Sequence, residues 1–212
     1  MNLYIEYFYF DEPIRNTEVF DSIDKNIRLA CIENIFAISN EYTLSHLKIH
    51  LKDKQHKVIF LTSPDRCTFQ YVFDLSKSYD ASDGISCVAN NDMILTEDFG
   101  KMKERMQDND FYCISRHEHT RPFHRGTAKW SQDVWCWKNK CKMENCNFFF
   151  GIPGNDNTLP YYADKAGYTV KNPSLTFKSY HNHACNIRPT QAFLESIRLD
   201  RQFYREVPPC AV

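Results

Sequence analysis

A chain of 212 residues with 42% apolar and 25% charged residues has the makeup of an ordinary globular protein, long enough for one substantial core. A net charge of −1 leaves no basic field to draw in nucleic acid, and no apolar run approaches the ~18 residues of a membrane span, so neither partner is expected. Nine cysteines without one C-x-x-C pair read as reduced thiols of a cytoplasmic protein, and the N-terminus lacks the basic start of a secretory signal.

In chain order, "LYIEYFYF" (Leu3 to Phe10) predicts a buried strand closed by the turn "DEP". Helical spacing follows from Thr17 to about Cys31, then "NIFAIS" as a second strand. "TLSHLKIHL" fits either a helix or a strand. "KVIFLTS" predicts a third strand, with a helix from about Asp65 to Ser76. "GISCVA" (strand), "TEDFGKMKERM" (helix) and "FYCIS" (strand) continue the alternation. Strands apolar on both faces, separated by helices, predict an α/β fold with a mostly parallel sheet flanked by helices.

From Arg116 to Cys146 the chain reads as irregular. Order is expected again at "NFFFG", then in a helix over "PGNDNTLPYYADKAG" with a glycine stop, then in the extended "YTVKNP" and "LTFKSYHNH". A helical tail is expected from Thr190 to Tyr204. With no linker or repeat, one domain over 1–190 with a tail at 191–212 is the economical division.

Ligands of open α/β sheets gather beyond the carboxyl ends of the strands, and "VANNDMIL" stops a buried strand there. Asp92 suits a divalent cation and Asn91 a sugar hydroxyl; a plain Asn-Asn-Asp turn is the competing reading. In "SYHNH", period-two alternation puts His181 and His183 on one face, as partners for a carboxylate around a metal. Asp156 opens a helix behind "GIPG", as an N-cap or as a general base. Asp133 lies beside Trp130, Trp135 and Trp137, which read as an acceptor platform or as core. A rival constellation is structural zinc, held by Cys136, Cys141 and Cys146 or by His181, His183 and Cys185.

Taken together, "ANND" at 89–92, "SQDVW" at 131–135, "GIPGNDN…KAGYTVKNPSL" at 151–175 and "SYHNH" resemble a GT-A type glycosyltransferase over Leu3 to His183. Length and texture are also similar to the N-terminal domain of chlorella-virus enzymes that glycosylate the capsid, which would place the chain in host cytoplasm. The resemblance implies a GT-A (Rossmann-like) domain that uses a UDP-sugar donor and Mn2+ or Mg2+, and transfers a glucose- or rhamnose-like hexose to a glycan. It implies further domains in a longer polypeptide as well.

On this reading Asp92 with His181 or His183 holds the metal. Tyr7, Phe8 and Tyr9 meet the nucleotide base, with Thr62, Ser63, Arg66, Asn90 and Asn91 as further donor contacts. Asp133 and Asp156 are the carboxylates near the reacting carbon. The family's D-x-D is Asn90-Asn91-Asp92 here, and Asn155 stands where an acidic residue precedes the catalytic aspartate. Asp92→Ala is expected to abolish turnover and leave the fold intact. The alternative is a zinc-stabilised carbohydrate- or protein-binding module without turnover.

Overall fold

The computed structural model describes residues 1–63, 66–79, 83–185 and 203–212. Among the described residues, ten strands and six α-helices follow one another as β1 (Asn2–Glu6), α1 (Pro13–Arg28), β2 (Asn34–Ser39), α2 (Glu41–Leu51), β3 (Val58–Thr62), α3 (Phe69–Tyr79), β4 (Ile85–Ala89) and β5 (Met93–Leu95). The remainder is α4 (Met102–Arg105), β6 (Asp110–Ser115), β7 (His117–Glu118), α5 (Arg125–Ala128), β8 (Gln132–Lys138), α6 (Asn155–Lys165), β9 (Thr169–Lys171) and β10 (Ser179–His181). Seven strands form the main sheet in the order β3-β2-β1-β4-β8-β6-β9, and β5-β10-β7 form a small second sheet. The main sheet is parallel except at β8, which runs antiparallel to both β4 and β6.

Alternation along each strand divides the apolar residues between two cores. Leu3, Ile5 and Tyr7 join Val134 and Cys136 on one face, with the buried sides of α1 and α2. Tyr4 joins Trp135 and Trp137 on the other, with α3, α6 and the 141–152 segment. Burial on both faces is what a helix-covered sheet requires, and it explains the continuous apolar runs of the strands.

Several expectations are corrected. The first strand ends at Glu6, because the chain leaves the ladder before "FYF". The first helix begins at Pro13, whose fixed φ and missing N–H suit a first helical position. The ambiguous "TLSHLKIHL" is helical, and the Asn40 side chain caps it by accepting from the Thr43 amide at 2.8 Å. "NFFFG" contributes only an isolated bridge, Phe149 to Thr68. The largest correction is β8, a central strand in a region read as irregular.

Asp65, the expected start of the third helix, lies outside the described residues, as do 190–202 of the expected helical tail. The described end, 203–212, is irregular and docks through a parallel bridge between Pro209 and Asn172. No helix among the described residues is long and apolar enough to cross a membrane.

Candidate active site

The carboxyl ends of β1 and β4 and the amino end of β8 lie side by side, since Ile5 pairs with Ala89 and Ala89 with Val134. A cavity of about 440 Å3 opens beyond them, lined in part by Glu6, Asn90, Asn91, Asp92, Asp133 and Asp156. This is the position at which open α/β sheets bind ligands.

The small sheet explains how histidines ninety residues away in sequence reach Asp92. Asp92 immediately precedes β5, and antiparallel pairing sets Met93 against His181, so the Asn182 amide donates to the Asp92 carbonyl at 2.8 Å. His181 Nε2 then lies 3.2 Å from Asp92 Oδ2 and His183 Nδ1 3.8 Å from it. One ligand atom from each of the three lies within 4.8 Å of the others. His181 Nδ1 is 3.4 Å from Glu118 on the adjacent strand β7, a carboxylate that orients the ring from behind.

Arg15, buried on α1, also contacts Asp92 Oδ2 and reaches Glu18 at 2.9 Å. Burial alone would push the Asp92 carboxyl up, but His181 and Arg15 outweigh it and hold the group well below the usual range. Burial likewise pulls His181 down, and its hydrogen bond and charge contact with Asp92 reverse the direction, so its pKa is raised.

Asp133 is pinned on both oxygens. Oδ1 accepts from the Asn90 side chain at 2.7 Å and Oδ2 from Arg116 at 2.8 Å. Asp156 is different in kind. Gly154 (φ 102°) is the N-cap of α6 and Asp156 sits in the first turn, so the N-cap reading of Asp156 is corrected. Burial, and then the charge of Asp133, push the Asp156 carboxyl up to about 7. Asn155 is buried, and its Nδ2 donates to the Phe149 carbonyl at 2.9 Å.

Of the remaining donor-site candidates, Phe8, Arg66, Asn90 and Asn91 line the cavity. Arg66 pairs with Glu6, donates to the Phe150 carbonyl at 2.6 Å and lies 4.7 Å from the Phe8 ring centroid. Tyr7, Tyr9, Thr62 and Ser63 do not line it. Tyr7 is buried in the core, Tyr9 stacks on His46 at 3.8 Å, and Ser63 continues the β3 ladder through the Ser39 carbonyl. Trp130 and Trp135 line the cavity, while Trp137 belongs to the core.

Sequence reading missed Arg15, Arg116, Glu118, Glu6 and Gln132. The one available signal was the polar set Arg15, Asn16, Ser22 and Asn26, which falls with Val19 and Ile23 on the buried face of α1. Of the two zinc sets, the three cysteines are corrected, while in the other His183 and Cys185 converge with Glu18 and His181 turns to Asp92 instead. Cys136 points into one core and Cys141 and Cys146 into the other, because β8 alternation turns Cys136 away from them. Among the described residues these three form no metal-ligand group.

A second cavity, of about 620 Å3, shares Trp130, Pro153, Gly154 and Asp156 with the first and adds Asn157, Tyr204 and Glu206. Asp156 therefore stands between two spaces.

No protein-family model matches the chain, and no curated protein matches it in sequence. Solved structures do match in fold. The mannosyltransferase PcManGT from Pyrobaculum calidifontis, in complex with GDP-Man and Mn2+, aligns with TM-score 0.60 at 10% identity. The alignment covers 87% of this chain and 57% of that one. S. aureus TarS 1–349 in complex with UDP-GlcNAc aligns with TM-score 0.57 at 6% identity, over 92% and 63% of the two chains. The 4-diphosphocytidyl-2C-methyl-D-erythritol synthase of Anaerococcus prevotii aligns with TM-score 0.55 at 11% identity, over 92% and 93%. The chain thus spans less than two thirds of the first two. The topology and these likenesses define a GT-A-like, Rossmann-type single domain.

Proposed function

We propose that the chain is a divalent-cation-dependent glycosyltransferase that moves a hexose or deoxyhexose from a UDP-sugar to a glycan hydroxyl. The observation that carries this reading is the convergence in one cavity of the Asp92 trio and of Asp156, a carboxyl pushed up to about 7.

The residues fit a divalent cation in the manner of GT-A enzymes. Asp92, His181 and His183 offer one oxygen and two nitrogens, which suits Mn2+ better than Mg2+. Charge bookkeeping points the same way. Arg15 is paired with Asp92 and Glu18, Arg116 with Asp133 and Glu118, and Arg66 with Glu6, so a diphosphate would need a further cation. When bound, that cation supplies Lewis-acid stabilisation of the departing nucleoside diphosphate.

Phe8 and Arg66 present a flat surface for the nucleotide base, and Asn91 a donor for ribose or diphosphate oxygens. Asp156 lies between the donor cavity and the second cavity, where Trp130 offers an exposed ring face to an acceptor sugar. As the acceptor oxygen bonds to the anomeric carbon and the bond to the diphosphate breaks, Asp156 takes the acceptor proton. A carboxylate with a pKa near the working pH is matched to that task. Asp133, held on both sides, acts as the neighbouring charge that keeps Asp156 basic. Nine cysteines with no disulfide among them support a reducing, cytoplasmic setting. A viral capsid glycan as acceptor, and further domains in the natural polypeptide, rest on the resemblance alone.

A second reading is nucleotidyl transfer, favoured by the near-complete overlap with the Anaerococcus synthase. One assay separates the two. UDP-sugars with Mn2+ and mixed glycan acceptors should yield UDP, and Asp92→Asn should remove the Mn2+ dependence. Pyrophosphate release from nucleoside triphosphate and sugar phosphate, with no UDP from any UDP-sugar, would establish the second reading instead.

A further inference from the structure

The loop after β10 brings a second set of ligand atoms together on the α1 side of the Asp92 trio. Glu18, His183 and Cys185 each place one ligand atom within 4.8 Å of the others, and all three are partly exposed. Cys185 Sγ lies 3.1 Å from Glu18 Oε2, and the Ala184 and Cys185 amides both donate to Glu18 Oε1 at 2.8 Å. The loop is thus already folded onto the helix that carries Glu18.

The donor chemistry differs from that of the first trio. Asp92, His181 and His183 contain no sulfur, whereas a thiolate beside an imidazole and a carboxylate selects the softer Zn2+ over Mn2+ or Mg2+. Three protein ligands also match a four-coordinate zinc site that keeps one position for water. We propose that Glu18, His183 and Cys185 form a zinc-class site at the edge of the catalytic cavity, distinct in its donor set from the hard-cation site but sharing His183 with it.

On binding, the Cys185 S–H bond breaks, its proton leaves to solvent, and the thiolate sulfur bonds the ion without any change of oxidation state. The ion replaces the Cys185–Glu18 hydrogen bond and ties the 182–185 loop to α1. His183 belongs to both trios, so an ion at one site competes for it with an ion at the other. The inference does not depend on the transfer reading.

Cobalt(II) is the spectroscopic probe, titrated into the full chain at neutral pH without nucleotide and with a non-chelating reductant. A thiolate-to-cobalt charge-transfer band should saturate at one equivalent and be displaced by zinc. Cys185→Ser should abolish the band and weaken zinc binding by more than the ~10–100-fold that outer-shell partners alone are worth. Asp92→Asn should retain the band. In the unaltered chain, one equivalent of zinc should protect Cys185 from alkylation, read by mass spectrometry, which covers the case of a poorly folded variant. Absence of the band, its survival in Cys185→Ser, its loss in Asp92→Asn, or unprotected Cys185 would each overturn the proposal.

Discussion

Asn90 donates through its side chain to Asp133 Oδ1 and through its backbone N–H to the Asp133 carbonyl, at 2.7 and 3.1 Å. A carboxylate at that position would face the Asp133 carboxylate at hydrogen-bond distance, so an amide suits position 90 where a second acid would be repelled. Asp92 keeps its charge because Arg15 and His181 contact it directly. This also revises what Asp92→Ala should do. The substitution leaves Arg15 buried without that partner, so we predict a loss on the order of 3–5 kcal/mol in denaturant unfolding along with loss of activity. Asp92→Asn, nearly isosteric, is the variant for kinetics.

Asp156 yields a pH prediction whose sign is fixed by its raised pKa. Its deprotonated form appears as pH rises through about 7, so transfer should climb there with a one-proton limb. Asp156→Asn should lower kcat by ~10²–10⁴-fold and remove that limb. Stability moves the opposite way. The folded state holds a proton that the unfolded chain loses near pH 4, so stability should fall as pH rises from about 4 to 7. At pH above 7, where Asp156 is charged and partly buried, Asp156→Asn should raise the unfolding midpoint.

Among the elements, β8 was hidden because a central strand between two antiparallel neighbours carries both polar entry residues and large rings. Gln132 and Asp133 open it at the cavity, and Trp135 and Trp137 follow in the core. Its W-C-W alternation was the signal to weigh more heavily than the surrounding histidines and basic residues. The α6 start was more legible, since "GIPGNDN" and the left-handed Gly167 (φ 84°) bracket the helix in the expected way. At Gly154 the left-handed backbone and the packed Tyr204 ring both require glycine, because a Cβ there would collide with the Tyr204 hydroxyl. Gly154→Ala should therefore disturb the 204–206 wall of the second cavity. Gly154 borders both cavities but Tyr204 only the second, so we predict a stability loss of about 1–3 kcal/mol and a KM rise larger for acceptor than for donor. Equal effects on both substrates would argue against separate spaces for them.

For the whole molecule, parallel α/β architecture was legible in the spacing of apolar runs, and the strand-end position of Asp92 followed from it. What was not legible was the second sheet. β5, β7 and β10 are two or three residues long, too short for periodicity to register, yet they carry Asp92, Glu118 and His181 to one point. Arg15 and Arg116 were hidden for a related reason, since their roles depend on tertiary pairing with carboxylates far along the chain. We propose, above all, that this point binds a nucleoside diphosphate through a divalent cation. The direct test is the unfolding midpoint of the chain with UDP, with Mn2+, and with both. At a ligand concentration ~100-fold above Kd, the pair together should raise the midpoint by about 5–10 °C, more than either alone, and Asp92→Asn should abolish the synergy. A midpoint unmoved by the combination, or a shift equally large in Asp92→Asn, would contradict it.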